Sequence, residues 1–334
     1  MSNANLTALL DDPSIDVVYI PLPAGLHCEW ALKAISKGKH VIIEEPATAN
    51  AGQSERLFRS PLLQQPNAPV LLAAIHFSFQ PTWQYFLTLV DTLNIEKVDA
   101  IAKLPFYIIP RGGIRFDYKL GGGCLPELGT YPLYALRKIM GDEPECMTCK
   151  TRNPPPPHEL CDEAADAVFR FPGGRIGNAV IDLRAPITTF PTLKISVLHK
   201  EIKIEQPDLP SNQTKWRRRK LVLHNFLISS FWHSIDIEDE YTMRDNTDGK
   251  TLKKWTKKKS KKIYTFKDTD RDQPGEPFWN SYRHQLEQFV NRVRGREGSG
   301  LWVYHEDSIA QARMIDMTCE KSGLPLRYGS QYCV

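Results

Sequence analysis

Two adjacent carboxylates, Glu44 and Glu45, interrupt the stretch VIIEEPAT at residues 41–48. They follow the apolar run Val41, Ile42, Ile43 and precede Pro46. A buried parallel strand ending this way puts both acids at the carboxyl edge of a sheet, where open α/β folds bind ligands. A carboxyl group in such a place accepts or delivers protons. Two histidines, His27 and His76, sit just past apolar runs, and a free imidazole titrates near neutral pH. A hydrogen-bonded structural ring is the alternative for each. Cys146 and Cys149 form a C-x-x-C, but no second pair or histidine set completes a zinc site. Their surroundings, PECMTCKT, read as a strand and not as the helix start of a redox pair.

The elements that must position these groups come in two styles. Val17 to Ile20 reads as a strand, LHCEWALKAISKG as a helix capped at Gly38, and HVIIE as a second strand. A helical stretch from about Asn50 to Leu63 follows, then APVLLAAIHF as a third strand. Strand and helix alternate as in a parallel doubly wound sheet, here half of one. From about residue 97 the apolar period becomes two. Ala165, Ala167, Phe169 and Phe171 alternate with polar neighbours, as do Leu193, Ile195 and Val197, then Ile202 and Ile204. That pattern predicts a large, mainly antiparallel open sheet with one buried face. Two helices close the chain, at about 281–293 and 308–322. The first carries a stripe of Tyr282, Leu286, Phe289, Val290 and Val293. The fold class is α/β: a truncated Rossmann-like domain over residues 1–80 and a C-terminal α+β domain over 81–334.

The bulk numbers agree with a globular two-domain protein: 334 residues, 41% hydrophobic and 25% charged. A net charge of +4 is too mild to imply nucleic acid. The basic runs KWRRRK at 215–220 and KKWTKKKSKK at 253–262 read as solvated turns between strands. No apolar run reaches the ~18 residues of a membrane span. The N-terminal stretch has neither the basic start nor the apolar core of a signal peptide. With seven scattered cysteines, the expectation is a cytoplasmic protein with reduced thiols.

Long blocks then carry a resemblance. DVVYIPLPAGLHCEWALKAISKGKHVIIEEPAT, IRFDYKLGGGCLPELGTYPLYALR, SYRHQLEQFVNRVRGREGSGLWVYHEDSIAQARMID and EKSGLPLR are similar to the glucose–fructose oxidoreductase / inositol dehydrogenase (Gfo/Idh/MocA) family. Within it they most resemble the fungal dimeric dihydrodiol / D-xylose dehydrogenase branch. The resemblance implies a Rossmann domain, a C-terminal domain with an open sheet, NADP-dependent hydride transfer and a homodimer through that sheet. It carries a proton-donor role to Tyr131 in Glu127-Leu128-Gly129-Thr130-Tyr131, where the family has Asp in place of Glu127. It sets His27 near the nicotinamide and His76 toward the substrate. Arg115 and Asp117 precede the glycines at 121–123 and rim the pocket or form a structural ion pair; Trp83 joins them as a candidate substrate contact.

The departures point elsewhere. No G-x-G-x-x-G occurs in the sequence, so the phosphate-cradling turn of the family is not matched. Glu45 stands where the family has the lysine of Glu-Lys-Pro. The expectation is therefore an enzyme without a cofactor, using Glu45, Tyr131, Glu127, His76 and His27 to isomerise, dehydrate or cyclise a small molecule, with neither nucleic acid nor membrane as partner. An NADP-dependent dehydrogenase of sugars or dihydrodiols, and a non-catalytic scaffold, are the alternatives.

Overall fold

A computed structural model describes residues 3–110 and 112–332. After helix α1 (Asn3–Asp11), three short parallel strands form the first sheet: β1 (Val17–Ile20), β2 (His40–Ile43) and β3 (Leu71–Ala73), in that spatial order. Helix α2 (Ala24–Ser36) connects β1 to β2, and α3 (Ala51–Phe58) lies between β2 and β3. Continuous burial of Val41, Ile42, Ile43, Leu71 and Leu72 is the mark of a parallel sheet covered on both faces. The chain leaves α2 through Gly38, whose φ of +74° suits glycine. The third strand is shorter than its apolar sequence suggests: residues 76–79 wind into a 3₁₀ turn that leads into α4 (Pro81–Leu89).

The second sheet is built from β4 (Ile95–Pro105), β5 (Glu145–Arg152), β6 (Ala164–Arg170), β7 (Ile176–Ala185), β8 (Thr192–His199), β9 (Ile202–Ile204), β10 (Gln213–His224), β11 (Ser234–Asp245) and β12 (Thr251–Lys261). Eight strands run in the order β12-β11-β10-β8-β4-β7-β6-β5, with β9 alongside β10. Only β4 and β7 pair in parallel; the other ladders are antiparallel. The short helix α5 (Cys124–Glu127), then α6 (Thr130–Met140) and α8 (His305–Ser322), pack on one face, while α7 (Ser281–Val293) lies against the 76–79 turn. One hydrophobic core runs through both sheets. Among the described residues, no helix is long and apolar enough to cross a membrane.

Two sequence expectations need correction here. The basic runs are not turns: both form strands, in β10 and β12. Alternation puts every second base on one face, so a run of like charges is no barrier to an extended strand. The stripe on α7 is also rotated. Phe289 is fully buried, but Tyr282 and Leu286 are 45% and 44% exposed. The inward face is instead Ser281, His284, Gln285, Gln288 and Phe289.

Candidate active site

The carboxyl ends of β1 and β2 open into a cleft of about 490 Å³ between the two sheets. Pro21, Leu22, Pro23 and His27 come from the β1–α2 connection, and Glu44, Glu45 and Pro46 from the end of β2. The second sheet contributes Leu104 and Leu183, and the segment beneath it Arg115, Glu127, Leu128 and Tyr131. Tyr282 reaches in from the first turn of α7.

Glu45 is half-buried at the cleft wall, and loss of hydration pushes its carboxyl up to about 8; a Thr130 hydroxyl works the other way, and the charge of Glu44 adds to the rise. That hydroxyl donates to Glu45 Oε2 at 3.1 Å. Thr130 is held in turn by Gln311 of α8, whose amide donates to its carbonyl oxygen at 2.8 Å. Near neutral pH Glu45 is therefore a neutral acid with a proton to give, not a carboxylate. Glu44 differs: the Tyr19 hydroxyl donates to it.

Tyr131 is the second residue of α6, one place after Thr130, so the helix start fixes both groups beside β2. Burial, reinforced by Tyr282 and the neighbouring acids, holds its phenol protonated well above the usual range. His76 lies behind it, ring centroids 5.4 Å apart, and stacks on Tyr282 at 4.3 Å. Burial drops the His76 imidazole to about 4, so the ring stays neutral. Its Nδ1 is 2.8 Å from the Ser281 hydroxyl. His76 thus supports the cleft wall and does not line it.

His27 does line the cleft, but its two ring nitrogens sit 2.9 Å from the Pro46 carbonyl and 2.5 Å from the Leu22 carbonyl. It ties the exits of β1 and β2 together, and burial lowers its pKa. Glu127 accepts from Arg115 at the cleft wall; burial raises its pKa while Arg115 opposes the rise.

Two expected site residues are elsewhere. Trp83 is 1% exposed and packs against Phe77 and Phe86, so it is core. Asp117 caps the turn at residues 118–120 through the Lys119 amide, and it is Glu127 that pairs with Arg115. The structure also assembles three groups not singled out in the sequence: Tyr19, Thr130 and Tyr282. Thr130 stood inside the quoted motif. Tyr19 looked like one strand residue among four, and Tyr282 like part of a buried stripe.

The comparisons with known proteins bear on this cleft. Residues 2–61 match the model of the GFO/IDH/MocA oxidoreductase family, NAD-binding Rossmann fold, and residues 100–205 match the GFO/IDH/MocA C-terminal domain. Two segments of the chain thus match the two domain models of the GFO/IDH/MocA family. An uncharacterised oxidoreductase of Rhizobium meliloti is 30% identical over 61% of this chain and 59% of its own length. A dTDP-3,4-didehydro-2,6-dideoxy-α-D-glucose 3-reductase of Actinomadura kijaniata is 35% identical over 41% of each chain. D-xylose and trans-1,2-dihydrobenzene-1,2-diol dehydrogenases match as well. This chain spans about half the length of the curated relatives it matches. The fold is that of KijD10, a 3-ketoreductase from Actinomadura kijaniata solved with NADP and TDP-benzene. The TM-score is 0.66 and the identity 21%, with 94% of this chain and 80% of that one covered.

These findings overturn the expectation of a cofactor-independent isomerase, lyase or cyclase. Residues 2–61 match an NAD-binding Rossmann model, and the relatives named above by their activity are reductases and dehydrogenases. The cleft itself suits the reactive end of a nicotinamide cofactor. It opens at the carboxyl ends of parallel strands, is walled by Pro21, Leu22, Pro23 and Pro46, and places two protonated acids, Glu45 and Tyr131, on its far side. No residue of this chain is assigned to the diphosphate.

Proposed function

We propose that this GFO/IDH/MocA protein is an NAD(P)-dependent oxidoreductase that interconverts a carbonyl and a hydroxyl on a small polyhydroxylated molecule such as a sugar or diol. The relatives' activities support the reaction class. The observation that carries it in this chain is Glu45, a half-buried acid at the carboxyl end of β2 whose carboxyl is pushed up to about 8, sharing one cleft with Tyr131.

Pro21, Leu22, Pro46 and His27 would hold the nicotinamide end. When bound, the cofactor exchanges a hydride with the substrate carbon. In the reducing direction the carbonyl oxygen gains a proton, and Glu45 holds one below about pH 8. The resulting carboxylate keeps the Thr130 hydrogen bond and is reprotonated from solvent. A neutral carboxyl donates a hydrogen bond to the same oxygen, which a carboxylate does not. Glu45 thus does by neutral donation what a lysine does by charge. Tyr131 supplies a second donor or relays the proton, and neutral His76 keeps its ring in place.

The cofactor side falls within residues 1–80 and the substrate side within 81–334. A cytoplasmic homodimer through the outer face of the large sheet completes the reading. The free thiols of the described cysteines fit a reducing compartment, and light scattering tests the dimer.

The test is fluorescence titration of the full chain with NADPH and NADH, followed by nicotinamide absorbance with a panel of aldoses, keto-sugars and diols. Saturable binding and turnover of a panel member are expected. Binding of neither nucleotide, with no turnover, overturns the proposal.

A further inference from the structure

Strand β12 ends the large sheet, so one of its edges meets no strand among the described residues. It is 11 residues long and exposed throughout except at Trp255. Six of its side chains are lysines: Lys253, Lys254, Lys257, Lys258, Lys259 and Lys261. The pleat sorts them onto two faces, and the faces differ. On one, Lys254 pairs with Glu240 at 3.0 Å and Lys258 with Glu238 at 3.1 Å. On the other, Lys253, Lys257 and Lys259 form no ion pair among the described residues. The carboxylate opposite Lys257, Asp239, is taken at both oxygens by Arg219.

The unpaired face continues onto β10 and β11. Tyr241 and Trp255 stand opposite each other in register and stack at 5.3 Å and 15°. Lys215, Lys253 and Lys257 lie 4.9 to 5.8 Å from these rings. Arg217, in register with Tyr241, has a buried Nε with no hydrogen-bond partner. Positive charge is thus concentrated beside an open backbone edge.

Lysines on an edge strand guard against unwanted pairing. Guarding does not require one face to be matched acid for base while the acid on the other, Asp239, is already taken by Arg219. A charged edge of this kind rejects neutral and basic strands and accepts an acidic one. Bases of a nucleic acid would need open aromatic faces, but here the two rings face one another and lysines crowd them.

We propose that β12 is a docking edge for an acidic, extended protein segment. The segment adds to the sheet by backbone hydrogen bonds, and acids on alternate residues meet Lys253, Lys257 and Lys259.

The probe is a fluorescein-labelled peptide of about ten residues alternating Glu and Thr. Its controls are a Ser/Thr peptide, the acidic peptide with alternate N-methyl groups, and oligo-dT of similar length. The full chain should bind the acidic peptide at least about tenfold more tightly than any control, and the triple variant K253E/K257E/K259E should lose about tenfold. Raising salt from about 0.05 to about 0.5 M should weaken binding comparably. Equal binding of the Ser/Thr or N-methylated peptide, or tighter binding of oligo-dT, overturns the proposal. The triple variant's melting curve shows whether it folds; if it does not, the N-methylated peptide against the unaltered chain decides.

Discussion

Thr130 reaches across the boundary between the sheets and donates its hydroxyl to Glu45 at 3.1 Å. One residue from α6 thereby fixes the carboxyl that ends β2, and the next residue, Tyr131, faces the same cleft. Strand β2 belongs to the first sheet and α6 packs on the second, so the two acids are held in fixed relation only when the two layers are docked.

Glu45→Gln keeps the size of the side chain and removes its proton. Reduction should fall by roughly 10²–10⁴, with folding retained. In the unaltered protein the reductive rate should decline as pH passes about 8, where Glu45 gives up its proton. Initial rates from pH 6 to 9.5 check both; a flat profile contradicts the proton-donor role.

The same group makes stability depend on pH. Its folded pKa of about 8 lies above the ordinary glutamate value of 4.5, so the folded chain binds the proton more tightly. Its stabilising contribution is complete below about pH 4.5 and is lost as pH rises through 8. Glu45→Gln should melt higher than the unaltered protein at pH 9 and lose this advantage toward pH 5. Thermal melts across that range test it.

Tyr131→Phe removes one hydroxyl from a packed ring. The rate should drop by about 10² or more if the phenol moves a proton, with an unchanged melting temperature. Tyr282→Ala removes the exposed ring that stacks on His76. It should raise KM more than it lowers kcat, since the ring wall binds substrate and holds no proton in the reaction.

Asp162 and Arg327 pair at 2.8 Å with side chains 0% and 2% exposed. Arg327 also donates to the Gly122 carbonyl at 2.6 Å, and the Leu125 amide donates to Asp162 at 2.7 Å. Arg327→Ala leaves a buried carboxylate without its cation and should cost about 3–5 kcal/mol in urea unfolding. Gly123→Ala should also destabilise: φ is +133°, and a Cβ there would lie 2.4 Å from Arg327 Nη2.

Apolar period decided the layers in advance. Val41 to Ile43 could only be a covered parallel strand, and Leu193, Ile195 and Val197 only one face of a half-buried strand, because burial follows the local repeat. Glu45 at a strand end and Tyr131 at a helix start were legible for the same reason: each sits at a boundary that the sequence marks. What a boundary residue faces is a different matter, since it depends on chain that arrives from far away. The spacing Tyr282 shares with Leu286 and Phe289 predicts a core position, yet docking of α7 on the 76–79 turn rotates that face and delivers Tyr282 to the cleft. Trp83 went the other way, into the core beside Phe77. The protonation of Glu45 also belongs to the tertiary structure. A glutamate in sequence is a carboxylate at neutral pH; only the closure of α6 and the second sheet over the end of β2 removes the water that would keep it charged.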